Sequence, residues 1–324
     1  MRKILLLSAD RAERGLIEPI MKELEKHTGN VLAHWCIFQN QNPNEIISQL
    51  GTKLFEFSPD IILVPTDRNE MVYASAYAYH NNFIVAHFHA GNLAGYPDEM
   101  NRRAISCFSH IMFCNTEKDK NNLIKMGEEF WRIYVVGSTA FDHIEIDESL
   151  CPYQPYDLVI LHPDPASVEQ TLLDMQKVID TLLIKENLII WLMPNKDRNY
   201  EVILSASDNF VDKAVFLRDE IRDINYHIMN FTKKRIGKIY DNLPRTLYLG
   251  LLKNCSRAIG NSSSFVYELP YLNPKAEVIQ IGYRNKDRES PEQIILGGSA
   301  KIASILAEID LESLRRKKFV LPNQ

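Results

Sequence analysis

Short, unbroken apolar runs that alternate with stretches of helical periodicity constrain this chain more than anything else in its sequence. Residues 3–7, Lys-Ile-Leu-Leu-Leu, form the first run, with the uniform hydrophobicity of a parallel strand buried on both faces. Leu16, Ile17, Ile20, Met21 and Leu24 then recur at helical spacing, and Gly29-Asn30 ends that helix. The same reading predicts strands over 31–38, 61–64, 83–87, 111–113 and 133–136. Helices are expected between them over 45–57, 69–79, 99–108 and 117–126. Strands and helices taking turns make βαβ units, which require a parallel sheet with helices on both faces.

The alternation stops between 141 and 156, where acidic residues, Cys151-Pro152 and Gln154-Pro155 read as a linker. It resumes with strands expected at 158–161, 188–193, 214–217, 257–259 and 277–281, and helices at 167–184, 243–253 and 262–269. Two closing helices are expected at 300–308 and 311–316. At 324 residues the chain is long enough for two domains of roughly 150 residues each. The expected fold is therefore α/β: two Rossmann-like, doubly wound parallel-sheet domains, 1–150 and 151–324, facing a central cleft. In such sheets ligands gather outside the carboxyl ends of the strands.

The loops at those ends are unusually polar. One turn, Gly260-Asn-Ser-Ser-Ser264, follows an expected strand and opens an expected helix. Asn261, Ser262, Ser263 and Ser264 offer side-chain oxygens and backbone N–H groups that suit a phosphate at a helix start. A serine-rich N-cap with no ligand explains the spacing equally well. Elsewhere, Asp10-Arg-Ala-Glu-Arg-Gly15, Thr66-Asp-Arg68, His87-Phe-His-Ala-Gly91 and Pro97–Arg103 follow expected strands of the first half. Leu161-His-Pro-Asp164 and Met193-Pro-Asn-Lys-Asp197 do so in the second. Taken singly, each has an ordinary explanation: Asp67 as a helix N-cap, Asp98 as a first-turn acid, His162 beside a turn proline, Arg102 as a solvated helix residue. Their common position after strands on one edge is harder to account for in that way.

Composition closes off other classes. A formal charge of -5 argues against broad nucleic-acid or acidic-membrane binding. The five cysteines are scattered without a CxxC pair, so neither a zinc site nor a disulfide framework is signalled, and a reducing cytoplasm fits. The N-terminal apolar run ends at Ser8-Ala-Asp, too short for a signal peptide, and no stretch approaches the ~18 apolar residues of a membrane span. No metal or cofactor is called for.

Across most of its length the sequence resembles the UDP-N-acetylglucosamine 2-epimerases, nearer the branch that hydrolyses its substrate. The resemblance is carried by Arg11-Ala-Glu-x-Gly15, Asp67-Arg68, His87-x-His-Ala-Gly91, Asp98-Glu99 with Arg102, and Thr116-Glu117. It continues through His162-Pro163, Pro194-Asn195-x-Asp197, Leu243-Pro-Arg245, Gly260-Asn-Ser-Ser-Ser264, Glu268-x-Pro270 and Ile281-Gly-x-Arg284. It implies a two-Rossmann-domain fold of the type used by many nucleotide-sugar glycosyltransferases (GT-B), a UDP-sugar substrate, a homo-oligomer, and a place in the synthesis of sialic-acid-like surface sugars. It further implies that Asp67, His89 and Asp98 sit near the sugar as acid/base groups. Ser262–Ser264 would hold the diphosphate together with Arg11, Arg102 and His162, Glu268 would accept from the ribose hydroxyls, and Asn261 and Arg284 complete the substrate contacts. The pattern departs from the family at His89, often a carboxylate in the non-hydrolysing branch, and at Asn92, where the hydrolysing branch usually has Glu. Thr66 and Phe265 each replace a glycine, and so does Asp287. A glycosyltransferase of the same fold and a catalytically silent nucleotide-sugar-binding protein are the competing readings.

Overall fold

The computed structural model describes residues 2–9, 11–27, 29–37, 42–93, 98–194, 198–204, 217–221, 224–231, 235–241, 243–286, 288 and 295–320; the side chains of Arg11, Ala12 and 217–236 are not among what it describes. Asp10, Asn195, Asp197, Asp287 and residues 214–216 of the expected strand lie outside the described residues. The chain forms two units, Met1–Ile144 with Pro291–Gln324, and Glu145–Ser290.

The first unit is built on β1 (Arg2–Ser8), β2 (Asn30–Cys36), β3 (Ile61–Pro65), β4 (Ile84–Phe88), β5 (Ile111–Cys114) and β6 (Ile133–Val135). Every pairing is parallel, in the order β2-β1-β3-β4-β5-β6. Successive side chains of one strand enter different cores, as a period of two requires. Ile4 and Leu6 of β1 join Ile61 and Leu63 of β3 on one face, while Leu5 and Leu7 join Ile62 and Val64 on the other. Such a sheet must be covered twice. Helices α2 (Pro43–Phe57) and α3 (Asn69–His80) supply Ile46, Leu50, Leu54, Met71, Ala74 and Ala78 to one face. Helix α1 (Arg11–Leu24) supplies Ile17, Ile20 and Leu24 to the other. Two further helices, α4 (Asp98–Phe108) and α5 (Glu117–Lys125), complete the connections.

The helix Gly298–Glu308 also belongs to this first unit, and here the division 1–150 and 151–324 read from sequence differs from the structure. Its Ile302, Ala303 and Leu306 pack with α1, and Leu314 joins the same core. Residues of the first unit also cap both of its ends. The Asp142 carboxylate accepts from Gly297 N (2.8 Å) and Ser299 N (2.6 Å), and Arg2 Nη2 donates to Ile309 O (2.7 Å). An amphipathic helix carries no local mark of which core it will cover, so its sequence position suggested the wrong partner.

The second unit contains β7 (Tyr156–Ile160), α6 (Val168–Leu182), β8 (Leu188–Leu192), β9 (Leu217–Ile221), β10 (Ile224–Phe231), β11 (Arg235–Tyr240), β12 (Arg257–Gly260) and β13 (Glu277–Gln280). The order is β13-β12-β7-β8-β11-β10-β9, parallel as far as β11 and antiparallel through β10 and β9. The antiparallel edge was not read from the sequence, although Ile-Asn-Tyr-His-Ile in β10 alternates as a half-buried strand should. The helix expected at 262–269 is instead two single turns, Ser264–Tyr267 and Leu269–Leu272, because Pro270 has no N–H with which to continue the ladder. Strand order reverses between β1 and β3 in the first unit and between β12 and β7 in the second. Open α/β sheets bind ligands at such switch points.

Candidate functional site

In the first unit, the candidate residues lie at the carboxyl ends of β3 and β4. Each strand ends in a residue with left-handed backbone, Thr66 (φ 43°) and His89 (φ 58°), and the two ends are stitched by Thr66 N donating to Phe88 O at 3.2 Å. The half-buried Asp67 carboxylate is ion-paired with Arg102 of α4, whose Nη1 also donates to His89 O at 2.8 Å. Thr139 Oγ1 lies 3.4 Å from His89 Nε2. Asp67, His89 and Arg102 therefore share one cluster, and Asp98 stands one turn before Arg102 on the same helix. The N-cap of α3 is Arg68, so Asp67 does not serve as that cap. Arg11 opens α1 at the same sheet edge, with its side chain outside the described residues. Gly91 is obligatory next to the site: φ is 78°, and a Cβ there would come within 2.3 Å of Asp119 O.

Two groups in this cluster were not singled out as site residues from the sequence. Glu13, buried, accepts from Ala9 N (2.7 Å) and from the Thr66 hydroxyl. His87, fully buried within β4, lies 2.8 Å from Thr66 O through Nε2 and 3.0 Å from Ser106 Oγ through Nδ1. A carbonyl oxygen only accepts, so Nε2 carries the proton and Nδ1 accepts from the serine. Burial pushes the His87 ring down to about 3, with Arg102 acting in the same direction, and the imidazole is neutral. The available signal was a histidine inside the apolar run of β4, since a buried polar side chain there must find partners.

In the second unit the candidates gather where β12 and β7 diverge. Gly260 has φ 139°, and a Cβ would lie 1.9 Å from Ile160 O, so only glycine brings the two strand ends this close. Asn261, buried, then clamps the β7 loop: its Oδ1 accepts from His162 N (2.7 Å) and its Nδ2 donates to His162 O (2.8 Å). Asn285 Nδ2 holds Ser262 O at 3.0 Å. Ser263 and Ser264 stay half-buried at the start of a single helical turn, so the macrodipole of a long helix is not part of this site. His162 Nδ1 is buried without a hydrogen-bond partner among the described residues. Burial, with the positive charges of Arg284 and Arg288, pushes its ring down to about 3. Glu268 is buried and accepts from Arg245 Nη2 at 2.7 Å. The Phe265 ring packs in the core with Leu158, Ile160 and Leu269, turned away from the serine turn rather than over it.

Two doubly wound α/β units, each with charged and hydrogen-bonding groups at its switch point, define the two-Rossmann-domain class expected from the sequence. The family model for UDP-N-acetylglucosamine 2-epimerase matches residues 39–318, and the chain belongs to that family of enzymes. A Legionella pneumophila protein named UDP-N,N'-diacetylbacillosamine 2-epimerase (hydrolyzing) is 27% identical, over 91% of this chain and 85% of its own length. A Campylobacter jejuni protein named GDP/UDP-N,N'-diacetylbacillosamine 2-epimerase (hydrolyzing) is 29% identical, over 74% of this chain and 60% of its own. Among solved structures, the UDP-N-acetylglucosamine 2-epimerase of Neisseria meningitidis bound to UDP-GlcNAc shares the fold with a TM-score of 0.64 at 18% identity, covering 92% of this chain and 85% of that one. The Methanocaldococcus jannaschii enzyme in complex with UDP-GlcNAc and UDP gives 0.63 at 18% identity, covering 99% and 96%. Among the described residues, no helix is long and apolar enough to cross a membrane.

Proposed function

We propose that this protein is a hydrolysing 2-epimerase of a UDP-linked 2-acetamido sugar, turning UDP-N-acetylglucosamine and water into N-acetylmannosamine and UDP. The observation that carries the reading is the Asp67–Arg102–His89 cluster at the carboxyl ends of β3 and β4. A base takes the C2 proton while the C1–O bond to the diphosphate breaks, leaving a glycal and UDP. Water then adds at C1 as a proton returns to the opposite face of C2. That chemistry needs a base for a weakly acidic C–H and an acid for the returning proton. Asp67, His89 and Asp98 are assigned to these proton transfers. Arg102 orients Asp67 and His89 besides lending positive charge near the leaving group. In the second unit, Ser262, Ser263 and Ser264 supply donors to the diphosphate, with the His162 ring and Arg284 as further contacts. Asn261 holds the turn, Glu268 receives the ribose hydroxyls, and Arg11 contributes from the start of α1. A homo-oligomer working in the cytoplasm, and a product feeding surface-sugar synthesis, belong to the same reading.

The relatives named for a diacetylated amino sugar favour a second substrate, UDP-N,N'-diacetylbacillosamine, handled by the same chemistry at C1 and C2. Both nucleotide sugars are to be offered in deuterium oxide and in oxygen-18 water, with products followed by NMR and mass spectrometry. Deuterium at C2, oxygen-18 at C1 of a free sugar, and released UDP are expected. Product formed without deuterium at C2 would exclude epimerisation and point to a glycosyltransferase or a simple hydrolase. Binding of UDP without turnover of either sugar would indicate a silent binding protein.

A further inference from the structure

We propose that Glu13, Thr66 and His87 form a positioning lock for Asp67, holding the turn after β3 in the one backbone conformation that presents the carboxylate to Arg102. The proposal rests on the reading of Asp67 as an acid/base group. Three observations carry it.

Thr66 is a β-branched residue at φ 43°, a backbone region that such residues avoid unless their surroundings impose it. All three of its hydrogen-bonding groups are engaged. The N–H donates to Phe88 O at 3.2 Å, the carbonyl accepts from His87 Nε2 at 2.8 Å, and the hydroxyl donates to Glu13. Glu13 in turn accepts from Ala9 N, so α1, the end of β1 and β4 all converge on Thr66. These contacts span the reversal between β1 and β3, where a doubly wound sheet otherwise opens a crevice.

The third observation is where His87 leads. Its Nδ1 accepts from Ser106, one helical turn beyond Arg102 on α4 and therefore on the same face. Asp67 is thus anchored twice to one helix: its carboxylate through Arg102, its backbone through Thr66, His87 and Ser106. The charged groups that act on His87 are Arg102, Asp67 and His89; burial, with Arg102 and His89, keeps the ring neutral against Asp67 and the bond to Thr66 O. Only the neutral ring, protonated at Nε2, donates to Thr66 O while accepting from Ser106; an imidazolium would reverse the second bond, its Nδ1–H donating to Ser106 Oγ. His87 touches no reacting atom on this account. It is a positioning residue.

The test compares His87→Phe, His87→Gln and Ser106→Ala, with turnover, KM and UDP affinity measured for each. Replacement by Phe removes the donor to Thr66 O and is expected to lower kcat by about 10–100-fold, the scale of a small displacement of a catalytic group. UDP affinity should stay within about threefold, because Ser262–Ser264, His162, Glu268 and Arg284 belong to the second unit, and Arg11 and Arg102, the nucleotide groups of the first, are left unaltered. Replacement by Gln restores an N–H near the Nε2 position and should recover most of the turnover. Ser106→Ala, the mildest change should the Phe variant fail to fold, is expected to lower kcat by roughly 3–10-fold with KM little altered. Folded His87→Phe or Ser106→Ala protein with wild-type kcat would overturn the lock, as would a Gln variant as slow as the Phe variant. An activity-independent readout separates this from the reaction assignment: long-range nitrogen-15 NMR of the wild-type ring should show one neutral Nε2–H tautomer between pH 5.5 and 8. A ring that titrates in that interval, or carries its proton on Nδ1, refutes the lock whatever the substrate. Wild-type protein with the expected tautomer but no turnover would count against the reaction assignment alone.

Discussion

Replacing Asn261 with alanine tests the second unit at its most economical joint. The side chain is 3% exposed and makes two hydrogen bonds to one backbone residue, 2.7 Å to His162 N and 2.8 Å to His162 O. Truncation removes both and strands a donor and an acceptor in a largely dry place. Each of the two stranded groups costs about 1–3 kcal/mol, so a destabilisation of about 2–6 kcal/mol is expected, the upper end if no water enters. The strand-end loops carrying His162 and the serines would lose their mutual register, and UDP affinity should fall by about 10-fold or more. Asn261→Asp makes the sign sharper. One oxygen still accepts from His162 N, but the other faces His162 O and is tolerated only when protonated, so the introduced carboxyl has a raised pKa in the folded state. Stability then stays near that of the parent below about pH 4 and falls by about 1.4 kcal/mol per pH unit as pH rises toward the raised value. Urea unfolding in a Trp35→Phe, Trp131→Phe background, which leaves the buried Trp191 of β8 as reporter for the second unit, measures the first effect, and calorimetry with UDP the second. Asn261→Ala protein that unfolds and binds UDP like its parent would refute the clamp.

Arg102→Lys keeps the charge but cannot reach Asp67 and His89 O with one planar fork, so turnover should fall by about 100-fold while the protein stays folded; steady-state kinetics with near-parental kcat would contradict the orienting role. Leu306→Ala, in the helix that returns to the first unit, should cost about 2–5 kcal/mol, and Asp142→Ala, which removes that helix's N-terminal cap, about 0.5–2 kcal/mol, both read as shifts of the urea midpoint. His87 and His110 are buried, with pKa values lowered from 6.5 to about 3 and about 4, chiefly by burial. Their folded pKa values lie below the unfolded one, so the associated stability is complete above pH 6.5 and is lost on acidification, by about 1.4 kcal/mol per pH unit for each ring. Unfolding free energies that do not change between pH 7 and 5 would contradict this.

Much of this protein could be read one short window at a time. Unbroken runs such as Ile4–Leu7 announce strands buried on both faces, and the spacing of Leu16, Ile17, Ile20 and Leu24 announces the helix that covers them. Once strands and helices alternate, the residues after each strand fall on the carboxyl edge, so Asp67, His89, His162 and the serine turn were located without coordinates. Their type and order also carried the family. What the tertiary structure alone decided are pairings across long sequence separations, for which a local pattern holds no record. Glu13 meets Thr66 from 53 residues away, Asn261 meets His162 from 99, and Arg2 caps a helix end 307 residues on. The same holds for the helix Gly298–Glu308, whose apolar stripe fits any exposed core, and for Phe265, whose ring had to choose between the serine turn and the core beneath it. Propensity and periodicity act over three or four neighbours. Strand order, helix destination and the closing of a hydrogen bond depend on which surfaces meet when the whole chain condenses, and there the largest burial of apolar area decides.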